Sequence, residues 1–154
     1  KKVATFSLPS GYTCPGAREC LSFANRNTGK IKDGKHTKFR CFQASAEATY
    51  PSLRKMVWNN YDALREAKTV VKMVKLIIKS LEQVKFDILR VHVGGDFFSK
   101  EYFRAWCIVA DSMPDKHFYA YTKSYAGIKV YIIFAKNANG EYIKLPLFFL
   151  ILFK

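Results

Sequence analysis

The stretch from Phe86 to Trp106, F-D-I-L-R-V-H-V-G-G-D-F-F-S-K-E-Y-F-R-A-W, leaves few folds open to the chain. Asp87 to Val93 alternates as a strand does, and Gly94-Gly95-Asp96 interrupts it. Ser99 suits a helix N-cap, and Lys100 to Met113 follows a helical pattern. A strand that passes through two glycines and an acid into a helix is the repeating step of an α/β fold. Glycines let backbone N–H groups approach a ligand, and a helix N-terminus favours negative charge. The same two glycines also serve as a plain tight turn.

Parity separates the faces of this strand. Ile88, Arg90 and His92 share one side; Leu89, Val91 and Val93 share the other. The aliphatic set is expected under helices. The first set places a cation and an imidazole on the opposite face, beside the glycine turn. A strand buried on both faces for structure alone reads as a near-continuous aliphatic run. Polar side chains at the carboxyl end of a parallel strand are what an α/β active site presents, so Arg90 and His92 are candidate catalytic residues. Plain solvent exposure of that face is the other reading. After Pro114-Asp115, His117 to Lys123 alternates again, with Tyr119, Tyr121 and Lys123 on one face, and Lys123 joins the candidates.

Upstream, Val3 to Leu8 is a strand candidate closed by Pro9-Ser10-Gly11. A loop with two thiols, Cys14 and Cys20, follows it. Residues 25–40 are polar and carry Arg26, Lys30, Lys32, Lys35, Lys38 and Arg40, with only Asp33 opposing them. This stretch reads as a loop, either solvated or in contact with nucleic acid. Cys41 then leads into a helical F-Q-A-S-A-E-A-T-Y. Beyond Pro51, Leu53, Val57, Tyr61, Leu64, Ala67, Val71, Val74, Ile78 and Leu81 recur at threes and fours. That pattern predicts one long amphipathic helix, or two with a kink near Ala67. Lys68, Lys72, Lys75 and Lys79 form a solvated stripe on another face.

A chain of 154 residues suits one main domain with a real core, and the order of elements predicts an α/β fold of repeated β/α units on a mostly parallel sheet. Residues 1–124 are expected to form the β/α domain with the cysteine loop and the Gly-Gly-Asp turn. Residues 125–154 differ: they form an atypical apolar C-terminal extension, either a strand hairpin about Asn139-Gly140 or an aberrant end. Its last apolar run is too short to span a bilayer, so no membrane partner is expected. Apolar strands that need cover point to a homodimer. The net charge of +14 favours nucleic acid or another anionic ligand. No apolar run follows Lys1-Lys2, so no secretory leader and a cytoplasmic location are expected. In that compartment a disulfide framework is disfavoured for Cys14, Cys20 and Cys41, while Cys107, beside Trp106, reads as a buried inert thiol.

Loops that follow parallel strands gather along one edge, which makes neighbours of Cys14, Cys20, Gly94, Gly95, Asp96 and Lys123. The segments T-C-P-G-A with a further Cys, R-C-F-Q-A-S, R-V-H-V-G-G-D-F-F-S-K-E-Y-F-R-A-W and F-Y-A-Y-T-K-S resemble the phage gene product 88 family over roughly residues 3–124. That resemblance implies a phage-encoded protein of the host cytoplasm. More remotely, the layout is similar to radical S-adenosylmethionine enzymes. This implies a partial TIM-barrel-like architecture, with Cys14, Cys20 and Cys41 as ligands of a [4Fe–4S] cluster whose remaining iron is open to S-adenosylmethionine. Gly94, Gly95 and Asp96 would meet the amino group of that cofactor, and Phe42 stands where the similar enzymes carry an aromatic beside their last cysteine. In those enzymes the three cysteines lie close together, whereas here Cys41 is far beyond Cys20. Zinc on the same cysteines, with a fourth ligand such as His36, is the alternative metal.

Overall fold

The computed structural model describes residues 1–17, 19–34 and 38–124, together with the backbone of three strands beyond them. In chain order the elements are β1 (Val3–Phe6), β2 (Phe23–Ala24), β3 (Ile31–Lys32), α1 (Phe42–Thr49), α2 (Pro51–Ala67), α3 (Val70–Leu81), β4 (Ile88–Val91), α4 (Lys100–Asp111), β5 (His117–Thr122), β6 (Phe134–Lys136), β7 (Tyr142–Lys144) and β8 (Phe149–Leu152). The main sheet runs β1-β4-β5-β8, and each neighbouring pair is parallel. Ile88 stands between Val3 and His117 in the ladder, so β1 and β4 finish level at their carboxyl ends and β5 runs two residues further.

This is the α/β fold with a parallel sheet that the β/α order predicts. The sheet does not close into a barrel among the described residues. Its ladder has two open ends, and closure needs about eight strands.

The helices form where the pattern requires. Pro51 opens α2 at a position where its missing N–H costs nothing. The break near Ala67 is real: Lys68 takes φ +57°, and Thr69 Oγ1 accepts from the Lys72 N–H at 3.3 Å to start α3. Lys68, Lys72, Lys75 and Lys79 are all exposed. The inner faces of α3 and α4 bring Met73, Ile77, Tyr102, Trp106 and Val109 onto Leu89, Val91, Phe118 and Ala120 of the sheet. This is the core, and it holds Leu89 and Val91 against the helices as parity predicts, whereas Val93, expected beside them, borders the cavity described below.

The sequence expectation fails in two places. Part of the polar stretch 25–40 is ordered: β2 and β3 pair antiparallel, Phe23 opposite Lys32. Asn25 Oδ1 accepts from the N–H groups of Asn27 (3.0 Å) and Thr28 (2.9 Å), and Gly29 takes φ +74°. Two-residue strands are too short to show a period. The second failure is His92. Its backbone has φ +68°, so β4 stops at Val91 and the alternation inverts. The imidazole packs among Phe6, Phe97 and Tyr102, with ring centroids 6.4, 4.6 and 5.6 Å away. The His92 ring therefore packs in the cluster joined to α4, although the residue still borders the cavity at the carboxyl edge of the sheet.

In the extension, β6 and β7 pair antiparallel, flanking Asn139-Gly140, and β8 lies beside β5. The expected turn itself, and most of the strand expected over 128–135, lie outside the described residues. Among the described residues no helix is long and apolar enough to cross a membrane.

Candidate functional site

At the carboxyl ends of β1, β4 and β5 the structure opens a cavity of about 340 Å³. Cys14 and Cys20 reach its wall from the loop after β1, and Cys41 and Phe42 from the start of α1. β4 and the turn after it contribute Arg90, His92 and Gly94 to Asp96; β5 contributes Tyr121 and Lys123. The candidate cysteines, the Gly94–Asp96 turn, Phe42, Arg90, His92 and Lys123 all line this one space. His36, proposed as a zinc ligand, lies outside the described residues.

The cysteine loop is held down by close backbone contact. A Cβ at Gly16 would lie 1.8 Å from the Lys123 carbonyl oxygen, so the loop can dock on the end of β5 only with glycine there. The Gly-Gly-Asp turn is equally tight. Gly94 N–H donates to Ser7 Oγ (3.3 Å), and the Leu8 N–H donates to the Gly94 carbonyl (2.9 Å). The Asp96 N–H reaches Thr13 Oγ1 at 3.4 Å. A Cβ at Gly94 would overlap the Gln43 side chain. Two N–H groups expected to face a ligand are thus already engaged with the chain.

Asp96 spends its carboxylate in the same way. It accepts from the N–H groups of Phe97 (2.7 Å) and Lys123 (2.8 Å) and from the Thr122 hydroxyl. Burial nonetheless holds its carboxyl above the usual range, because three donors do not fully replace water. Asp96 is the clasp between the glycine turn and β5.

The cations are differently placed. Arg90 lies over the Tyr121 ring at 5.1 Å, and its Nε is buried without an acceptor among the described residues. Lys123 Nζ sits 5.2 Å from the Phe39 ring, at the edge of the cavity. His92 is fully enclosed: Nε2 is 2.9 Å from the Tyr102 hydroxyl, Nδ1 has no partner among the described residues, and burial pushes the imidazole down to about 3. It is a neutral imidazole at any ordinary pH.

Burial drives the Cys14 thiol up to about 12 and the Cys20 thiol up to about 11. The neighbouring Cys41 thiol adds to the rise at Cys20. Three thiols on one wall fit a thiol-ligated metal in donor chemistry. They are not drawn together as a finished ligand set: among the described residues no group of three or more His, Cys, Asp and Glu is arranged to hold a metal ion. A metal there would have to gather the sulfurs and displace their protons.

Sequence reasoning missed Gln43, a buried amide on the cavity wall whose Nε2 has no partner among the described residues. It also overrated the free charge of the basic stretch. Arg26 pairs with Asp62, Lys38 with Glu19 and Arg40 with Asp33. Only the last of these pairs joins residues near in sequence. The aromatic side chains of Phe39 and Phe42 beside them are exposed.

A protein-family model described as Gene product 88 matches residues 1–139, running past the β/α domain into the extension. The Gene 88 protein of Mycobacterium phage L5 is 32% identical over 128 residues, which covers 77% of this chain and 47% of that protein. The Gene 88 protein of Mycobacterium phage D29 is 29% identical over 128 residues, with the same two coverages. The chain spans about half the length of these curated relatives. No solved structure matches it. With the family model covering most of its length, including the cysteine loop, the glycine turn and β5, the chain belongs to the phage gene product 88 family.

Proposed function

We propose that the cavity at the carboxyl end of the sheet is a thiol-ligated metal site, with Cys14, Cys20 and Cys41 as its protein ligands. The observation that carries this reading is convergence: three cysteines from two separate segments line one cavity. An iron–sulfur cluster is the occupant we propose, on the remote resemblance of the sequence layout to radical S-adenosylmethionine enzymes, and zinc is the alternative. When bound through three thiolates, a [4Fe–4S] cluster leaves one iron able to take a further ligand and to pass an electron to S-adenosylmethionine. On this reading β1, β4 and β5 are the opening strands of a barrel-like scaffold.

The chain's own residues then divide the work. Lys123, close enough to Cys20 to favour its thiolate, offsets part of the cost of deprotonation. Arg90 offers a fixed cation for an acidic group of a ligand. Asp96 and the two glycines hold the turn at its distance from the cysteine loop, while His92, neutral and turned toward α4, moves no proton.

The test is anaerobic reconstitution with iron and sulfide, followed by visible absorbance and metal analysis. Wild type and Cys107→Ser should bind metal, and Cys14→Ser, Cys20→Ser and Cys41→Ser should each lose most of it. Iron with visible colour assigns a cluster, and colourless zinc-loaded protein assigns zinc. A folded, colourless chain that retains neither metal ends the proposal.

A further inference from the structure

A second cavity, of about 370 Å³, lies between the amino-terminal half of α2 and the β2–β3 turn. It shares no lining residue with the thiol-lined cavity. α2 presents Arg54, Lys55, Trp58 and Asn59, positions that recur on one helical face. The turn brings Arg26 and Asn27 across from them. None of the residues lining this cavity is acidic.

Arg54 is the decisive group. The residue is only 8% exposed, yet its guanidinium is spent on carbonyl oxygens: Nε donates to Arg26 at 3.1 Å and Nη1 to Glu47. Among the described residues no carboxylate forms an ion pair with it. Gly29 closes over the group, since a Cβ there would lie 2.6 Å from Nη1. A cation taken out of water is costly unless a counter-charge accompanies it. Arg26 stands at the mouth, bridged to Asp62 and laid over the Trp58 ring at 4.8 Å, and Lys55 is exposed beside it. Three cations thus border one space: Asp62 pairs with Arg26, the buried Glu47 carboxylate feels the charge of Arg54 without an ion pair to it, and the amides of Asn27 and Asn59 add donors.

We propose that this cavity binds a phosphate group, either free phosphate or a phosphodiester of single-stranded nucleic acid. A tetrahedral oxyanion supplies several acceptors at once and a direct ion-pair partner, which neither Arg54 nor Lys55 has among the described residues. The proposal stands apart from the metal reading, because it uses none of the cysteines.

The experiment titrates the full chain separately with inorganic phosphate and with a single-stranded oligothymidylate, by calorimetry. Saturable binding is expected, with Kd raised about tenfold or more in Lys55→Glu, the loss of one charge-assisted contact turned into repulsion. Lys55 is exposed on a helix, so that variant should fold, and an unchanged circular dichroism spectrum verifies it. Protein titrated before and after reconstitution with iron and sulfide should bind alike, which keeps this result separate from any failure of the metal site. Binding of phosphate but not oligonucleotide assigns the free ion. Tighter oligonucleotide binding that weakens steeply with salt assigns the phosphodiester. Absence of saturable binding to both ligands, or a folded Lys55→Glu that binds as wild type does, overturns the proposal.

Discussion

His92 leaves β4 with φ +68°, and that single dihedral carries its ring from the ligand face of the sheet into the cluster of Phe6, Phe97 and Tyr102. The cost of a left-handed β-carbon residue is of order 1–3 kcal/mol, and it is met by enclosed ring contacts and the bond to the Tyr102 hydroxyl. Enclosure has a pH signature. The folded imidazole titrates at about 3 against the ordinary 6.5, so between those values the unfolded chain holds a proton that the folded chain refuses. Stability contributed by neutral His92 is complete above pH 6.5 and is lost as pH falls toward about 3. Urea denaturation across that window should show wild type losing stability on acidification more steeply than His92→Phe, whose other titrating groups are the same. Parallel curves for the two proteins would mean the ring is not enclosed.

At the scale of elements, α4 begins where the Gly-Gly-Asp turn ends, and one hydroxyl marks the boundary. Ser99 Oγ accepts from the Tyr102 N–H at 3.1 Å, with Glu101 in the first turn adding favourable charge. Tyr102 is also the partner of His92, so this cap orients the side of the helix that the ring cluster needs. Ser99→Ala should cost about 1 kcal/mol in chemical denaturation. An unchanged midpoint would show that packing alone sets the start of α4. The Lys68–Thr69 break is a second boundary of this kind, where a left-handed residue and a threonine cap turn one amphipathic pattern into two helices.

For the whole molecule the critical joint is the docking of the cysteine loop on the end of β5. It depends on Gly16 lying against the Lys123 carbonyl and on Asp96 tying Lys123 to the glycine turn. Backbone on both sides of that contact leaves no room to relax. Gly16→Ala should therefore lift the loop, cost about 1–3 kcal/mol through overpacking, and expose the thiols. Native-state labelling with a thiol reagent, mapped by mass spectrometry, should find Cys14 modified faster in the variant than in wild type. Equal rates would show that the loop is anchored elsewhere. The surface pairs Arg26–Asp62, Lys38–Glu19 and Arg40–Asp33 add little to this joint, since exposed ion pairs contribute at most about 1 kcal/mol each.

The sequence by itself determined the β/α order, the cap of α4 at Ser99, and the gathering of the cysteine loop, the glycine turn and Lys123 at one edge, and it left open whether the amphipathic run breaks near Ala67. These follow from local periods, caps and the handedness of parallel connections, all of which act over a few residues or one crossover. Only the tertiary structure decided how the gathered groups are used. Asp96 gives its oxygens to β5, Gly94 yields its space to Gln43, His92 turns over into the rings of α4, and Arg54 is enclosed by Gly29 with no ion-paired carboxylate among the described residues. Each of these outcomes is set by partners distant along the chain, because burial and hydrogen bonding depend on what stands opposite a side chain in space.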